Sequence, residues 1–146
     1  MTRVLFVCTG NTCRSALAEG LARARLGPEA GVTFESAGLY ALNGAPATPH
    51  ALVVAAEEGV DLGAHRARPI TVEMVEGADR VYVMTRAQQD GLARMGAGVR
   101  DRVALLDPSG DDIPDPYGGD LDAYHRARDR IAAAVEARLD EWRAGG

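Results

Sequence analysis

The sequence contains no lysine; all 16 basic residues are arginine. That excludes a Walker-type phosphate loop and any mechanism through a Schiff-base lysine. Cysteine is nearly absent, with only Cys8 and Cys13. Two thiols make no disulfide framework, and they point to a reduced, cytoplasmic setting. No apolar stretch approaches the roughly 20 residues of a membrane span. The first apolar run, about five residues, is also shorter than a secretory signal requires. A positive charge excess is missing too. The formal net charge is −5, which argues against a general nucleic-acid binder. His50, His65 and His125 show no paired ligand spacing, two cysteines five apart make no zinc site, and the acidic loop lacks EF-hand alternation. No metal and no cofactor are expected, and the chain is expected to act as a monomer.

What is present is a regular alternation of strand-like and helix-like segments. At 146 residues the chain reads as one domain, 1–146, large enough for a real core. "RVLFVC" (3–8), "VTFESAG" (32–38), "DRVYVMT" (79–85) and "RVALL" (102–106) read as strands. Helices are expected over 15–26, closed by Gly27-Pro28, and from Thr48-Pro49 to Gly59. A short one follows Thr71. Another starts at Thr85, whose spacing to Gln88 is that of a capping box. Leu121, Tyr124, Ile131, Val135, Leu139 and Trp142 lie three, four or seven apart and define an amphipathic final helix. Continuous apolar strands alternating with helices imply a parallel sheet covered on both faces. The segment 107–119 is the longest irregular stretch, and loops of that length are often functional.

The chemistry concentrates in "VLFVCTGNTCRSALAEG" (4–20). Cys8 ends the first strand, at the edge where open parallel sheets bind ligands. The turn into the following helix offers unpaired N–H groups and the positive end of a helix dipole. Gly10 is expected to let the backbone turn freely, and Asn11 tolerates left-handed dihedrals. Arg14 adds a planar fork for two phosphate oxygens. The amides of Thr9, Gly10, Asn11, Thr12, Cys13 and Arg14 would thus cradle a tetrahedral dianion. The same positive field favours a thiolate at Cys8, and Ser15 can donate to it.

This arrangement resembles the low-molecular-weight protein tyrosine phosphatases and their bacterial relatives. "VCTGNTCRS" matches their Cys-x5-Arg-Ser signature, "DPYGG" (115–119) their Asp-Pro loop, and "SAG" (36–38) and "TPHA" (48–51) further segments. Many relatives have proline after that signature, where this chain has Ala16. The resemblance implies a four-stranded parallel α/β sheet of order 2-1-3-4, a three-layer Rossmann-like domain. It also implies Cys8 as nucleophile, Arg14 as phosphate clamp and Asp115 as general acid and base. Two Asp-Pro pairs are present, and only the resemblance selects Asp115 over Asp107; Asp107, Asp111 and Asp112 are then expected to form a solvated acidic loop. By the same resemblance Tyr40 and Tyr117 would wall the pocket, and Ser15, Ser36 and His65 would support the loop together with Asn11. Cys13 is a candidate partner for a reversible disulfide with oxidised Cys8.

Thr12 bears on specificity. Tyrosine-directed members usually carry a branched aliphatic there, whereas the bacterial protein-arginine phosphatases carry threonine, and "CTGNTCRS", "SAGLYA", "DPYGG" and "YHRARD" resemble that subgroup. A hydroxyl in the wall suits a guanidinium better than a flat ring. The expected substrate is therefore a protein or peptide phosphorylated on arginine, with tyrosine as the alternative. Two other classes stay open: an arsenate reductase, which would need a third thiol, and a non-catalytic phosphate-binding or redox-sensing module.

Overall fold

In the computed structural model, residues 1–96 and 98–143 are described. Four parallel strands, β1 (Thr2–Cys8), β2 (Val32–Gly38), β3 (Arg80–Val83) and β4 (Val103–Leu105), form one sheet in the order β2-β1-β3-β4. Five α-helices connect and cover them: α1 (Arg14–Arg25), α2 (Pro49–Ala56), α3 (Val72–Gly77), α4 (Arg86–Ala93) and α5 (Leu121–Arg143). Both the fold class and the strand order agree with expectation. β3 and β4 are shorter than their apolar runs, because the ladder ends where the short edge strand β4 ends.

Successive β1 side chains point to opposite faces, and both faces are buried. Val4, Phe6 and Cys8 belong to a core shared with α1, α2 and α5, whereas Leu5 and Val7 join Val75 of α3 and Leu92 of α4. Phe6, Phe34, Tyr82 and Trp142 gather on the first face. Trp142 is fully buried with its ring centroid 5.2 Å from Phe34, 5.7 Å from Tyr82 and 5.9 Å from Phe6. Its indole N–H donates to the Tyr82 hydroxyl at 3.0 Å. Burial and the Glu141 carboxylate push the Tyr82 phenol up to about 12.

Arginine forks cover both edges of the sheet. Arg23 and Arg68 donate to the carbonyls of Phe34 and Ser36 on β2, at 2.7 and 3.0 Å. Arg138 donates to those of Leu105 and Leu106 beside β4, at 2.7 and 3.1 Å. Paired edge carbonyls offer no template for a further strand. Asp111 and Asp112 are exposed, as expected of a solvated acidic loop, and only Asp107 is half-buried. Asp107 bonds Ser109 and Arg130, and Asp112 accepts the Arg86 N–H at the start of α4.

β1 and β2 lie on one side of a topological switch, β3 and β4 on the other. The carboxyl end of β1 therefore opens where the chain connections diverge. Trp142→Ala is expected to lower the unfolding free energy by about 3–5 kcal/mol, as large-to-small core changes of this size do. Equilibrium urea denaturation reads this directly, and a cost below about 1 kcal/mol would show that α5 contributes little to the core.

Candidate active site

Cys8 pairs with Gly38 in the last rung of β1 and β2. From there the chain turns through residues 9–13 into α1. Asn11 takes the left-handed conformation, with φ 57°, and is the only non-glycine residue with positive φ among the described residues. Gly10 does not need its freedom: its φ is not left-handed, and a Cβ there would meet only Thr12 Oγ1 at 3.6 Å. The position that demands glycine is Gly38, where a Cβ would stand 2.7 Å from the Thr9 carbonyl oxygen and 3.0 Å from the Asn11 nitrogen. The Tyr40 N–H donates to that carbonyl at 2.9 Å, so β2 runs hard against the back of the loop.

No side chain caps the start of α1, which leaves its N–H groups to other acceptors. The Asn11 N–H donates to Cys8 Sγ at 3.3 Å, and Ser15 Oγ lies 3.0 Å from the same sulfur. Behind the loop, every polar group of the Asn11 side chain is used. Its Nδ2 donates to Ser15 Oγ at 2.7 Å and to Ser36 Oγ at 3.0 Å, and its Oδ1 accepts the Arg68 N–H at 3.0 Å. His65 Nε2 donates to the Asn11 carbonyl at 2.6 Å. Ser36 in turn donates to Glu19, which also pairs with Arg23.

Arg14 is almost fully buried at the first position of α1. Its Nη1 donates to the carbonyl of Ile113 at 2.9 Å, and Nη2 lies 3.4 Å from Asp115 Oδ2. Its Nε is buried with no acceptor from the protein. Asp115 is 46% exposed and stands across the opening. Its Oδ1 accepts the Tyr117 N–H at 3.0 Å and the Cys13 thiol at 3.7 Å. Burial first, then repulsion from Cys8 and Asp115, pushes the Cys13 thiol up to about 12, so it stays protonated at neutral pH.

Cys8, Thr9, Gly10, Thr12, Cys13, Arg14, Tyr40, Asp115 and Tyr117 line one cleft of about 470 Å³, with residues 42 and 45–49 forming the rest. Tyr40 and Tyr117, 83% and 70% exposed, stand at its rim. Asn11, Ser15, Ser36 and His65 lie outside it and act on it from behind. All residues singled out in the sequence are thus gathered in or behind one site. Sequence reasoning gave no role in the site to Gly38, Glu19, Arg68 or Gln88; the "SAG" segment had marked Gly38 and the capping-box spacing Gln88, each for another reason. Among the described residues no helix is long and apolar enough to cross a membrane.

A buried thiol, a buried guanidinium and the half-exposed carboxylate paired to it line one cleft at the carboxyl end of a parallel sheet, the set of groups a cysteine-dependent phosphatase requires. The chain belongs to the family "Low molecular weight phosphotyrosine protein phosphatase", whose model matches residues 3–144. It is 36% identical over 143 residues to a "Protein-arginine-phosphatase" of Geobacillus stearothermophilus, covering 95% of this chain and 94% of that protein. It is 39% identical over 144 residues to the "Probable low molecular weight protein-tyrosine-phosphatase EpsP" of Ralstonia nicotianae, covering 98% and 97%. The solved structure of "YwlE arginine phosphatase from Geobacillus stearothermophilus" superposes with a TM-score of 0.92 at 32% identity, over 99% of this chain and 95% of that one.

Asn11→Ala forces a left-handed alanine and strips buried partners from Ser15, Ser36 and Arg68. The expected outcome is about 2–4 kcal/mol lost in urea unfolding. A roughly 100-fold drop in kcat/KM should accompany it, because misplaced reacting groups cost about that much. A folded variant with unchanged kcat/KM would contradict the role given to Asn11.

Proposed function

We propose that this chain removes phosphate from phosphorylated arginine in proteins through a cysteinyl-phosphate intermediate. The observation that carries the reading is Cys8 Sγ, bonded by the Asn11 amide and the Ser15 hydroxyl in the cleft that Arg14 and Asp115 also line. The Cys8 thiolate attacks phosphorus in line with the leaving nitrogen. The S–P bond forms as the P–N bond breaks, and the Asp115 carboxylic acid gives its proton to the departing guanidine. The amides of Thr9–Arg14 and the Arg14 guanidinium stabilise the three equatorial oxygens. Asp115, now a carboxylate, takes a proton from water. The water oxygen bonds to phosphorus, the S–P bond breaks, and Cys8 leaves as thiolate with the Ser15 hydroxyl donating to it. Arg14 exchanges its contact with Asp115 for phosphate, which frees the carboxylate to face the leaving group.

Arginine specificity draws support from Thr12, a polar residue in the cleft wall, and from relatives named protein-arginine phosphatases. The tyrosine reading draws support from the aromatic rim of Tyr40 and Tyr117 and from relatives named tyrosine phosphatases. Thr12→Ile tests the choice. The ratio of kcat/KM for phosphoarginine over phosphotyrosine peptides is expected to fall at least about tenfold, the scale on which one wall residue discriminates. An unchanged ratio would return the assignment to tyrosine.

Cys13 completes the reading as a redox partner. Peroxide converts the Cys8 thiolate to sulfenic acid with release of hydroxide. The Cys13 sulfur then displaces water to form the disulfide. Removal of the Cys8 charge withdraws one cause of the raised Cys13 thiol. Mass spectrometry after mild peroxide is expected to show a Cys8–Cys13 link; sulfonic acid on Cys8 beside a reduced Cys13 would rule it out.

A further inference from the structure

Gln88 lies on α4, outside the cleft, and has been given no chemical step. It is nonetheless 4% exposed, and both polar atoms of its side-chain amide are bonded. Oε1 accepts the N–H groups of Met84 and Thr85, at 2.9 and 3.1 Å. Those two bonds fix which end of the amide is oxygen, since a backbone N–H can only donate. Nε2 must therefore point the other way, and there it donates to Thr9 Oγ1 at 3.1 Å. Thr9 is the residue immediately after Cys8 and lines the cleft.

The capping box explains only half of this geometry. It accounts for Gln88 N–H donating to Thr85 Oγ1 at 3.2 Å and for the return bond to the Thr85 N–H. It does not account for the bond to Thr9, which spans 79 residues of sequence. The same turn also reaches the other end of the loop. The Met84 carbonyl accepts the Ile113 N–H at 2.9 Å, and the Ile113 carbonyl accepts Arg14 Nη1 at 2.9 Å. One short segment, 84–88, therefore holds Thr9 directly and Arg14 through a single buried residue.

We propose that Gln88 is a positioning residue for the phosphate-binding loop, fixing Thr9 through its side-chain amide while the turn it caps supports Arg14. The proposal rests on reading residues 8–14 as that loop. With Gln88 as donor, the Thr9 hydroxyl is held as an acceptor, and the first peptide after Cys8 is pinned from both sides: by Gln88 on its side chain and by the Tyr40 N–H on its carbonyl. A cradle built of backbone N–H groups works only if those groups are already in place when charge develops.

T9V separates the two tasks of Gln88. Valine removes the acceptor hydroxyl with little change of shape, while Gln88 keeps its bonds to the Met84 and Thr85 N–H groups. T9V is expected to keep its Tm within about 2 °C, because the cap survives. Its kcat/KM on p-nitrophenyl phosphate should fall about tenfold and its inhibition constant for orthovanadate should rise by a similar factor. Q88M, which lacks both the cap and the bond, should lose stability and show at least a matching kinetic loss, and the double variant should be no worse than about Q88M alone, since both changes remove the same bond. Wild-type kinetics in T9V would overturn the proposal. So would losses that multiply in the double variant, which would assign independent effects to the two side chains. A second measurement needs no change at Gln88. Solvent exchange of its side-chain amide, followed by NMR, should quicken at least about tenfold in T9V, and unchanged exchange would overturn the proposal. Failure of the phosphatase reading looks different: the wild type would neither hydrolyse p-nitrophenyl phosphate nor bind vanadate, and the exchange measurement would still report on the bond.

Discussion

The structure depends on one constraint: the turn that leads from Cys8 into α1, a helix start that no side chain caps, must keep one fixed shape. A helix start left uncapped is ordinarily a defect. Here it is kept in shape from behind. Asn11 accepts a left-handed backbone and spends its entire amide on Ser15, Ser36 and Arg68, while His65 holds its carbonyl. These bonds lie behind the loop, while Cys8, Thr9, Gly10, Thr12, Cys13 and Arg14 line the cleft in front. Gly38 lets β2 come close enough to supply that backing, and a side chain there would collide with the Thr9 carbonyl.

Arginine carries several unrelated tasks in this lysine-free chain, and each uses the planar fork rather than charge alone. Arg14 joins the cleft to the Ile113 carbonyl and to Asp115. Arg23, Arg68 and Arg138 bond carbonyls along the two outer strands. Arg68 links these roles, since its backbone N–H holds Asn11 while its guanidinium lies on β2. The edge of the sheet and the back of the site are thus partly the same structure.

Much of this was legible in the sequence, for identifiable reasons. Apolar runs gave all four strands because both faces of β1 are buried and the signal is continuous. Thr48-Pro49 and Thr85-Gln88 placed the starts of α2 and α4 because cap chemistry is local. Cys8, Arg14 and Asn11 stood out because they sit within one turn. Asp115 did not stand out, because spacing could not separate it from Asp107; only the family pattern chose it, and the fold brings it 3.4 Å from Arg14. Gly10 was misjudged: its neighbour Asn11 takes the left-handed position instead. Gly38, Glu19 and the Gln88–Thr9 bond were illegible because each acts through a contact between distant segments, which no local pattern encodes. The partial burial of Asp107 was illegible for the same reason, since its partner Arg130 lies on α5.

The central claim is that Cys8 carries the phosphoryl group during turnover. With p-nitrophenyl phosphate as substrate, whose phenolate leaves without a proton, Asp115→Asn spares the first step and slows the second by removing its base, so the intermediate should accumulate. Acid quenching of that variant during turnover, followed by peptide mass spectrometry, is expected to find one phosphoryl group per chain, on the Cys8 sulfur. Continued hydrolysis with Cys8 unmodified throughout, or undiminished hydrolysis by Cys8→Ser, would contradict the account.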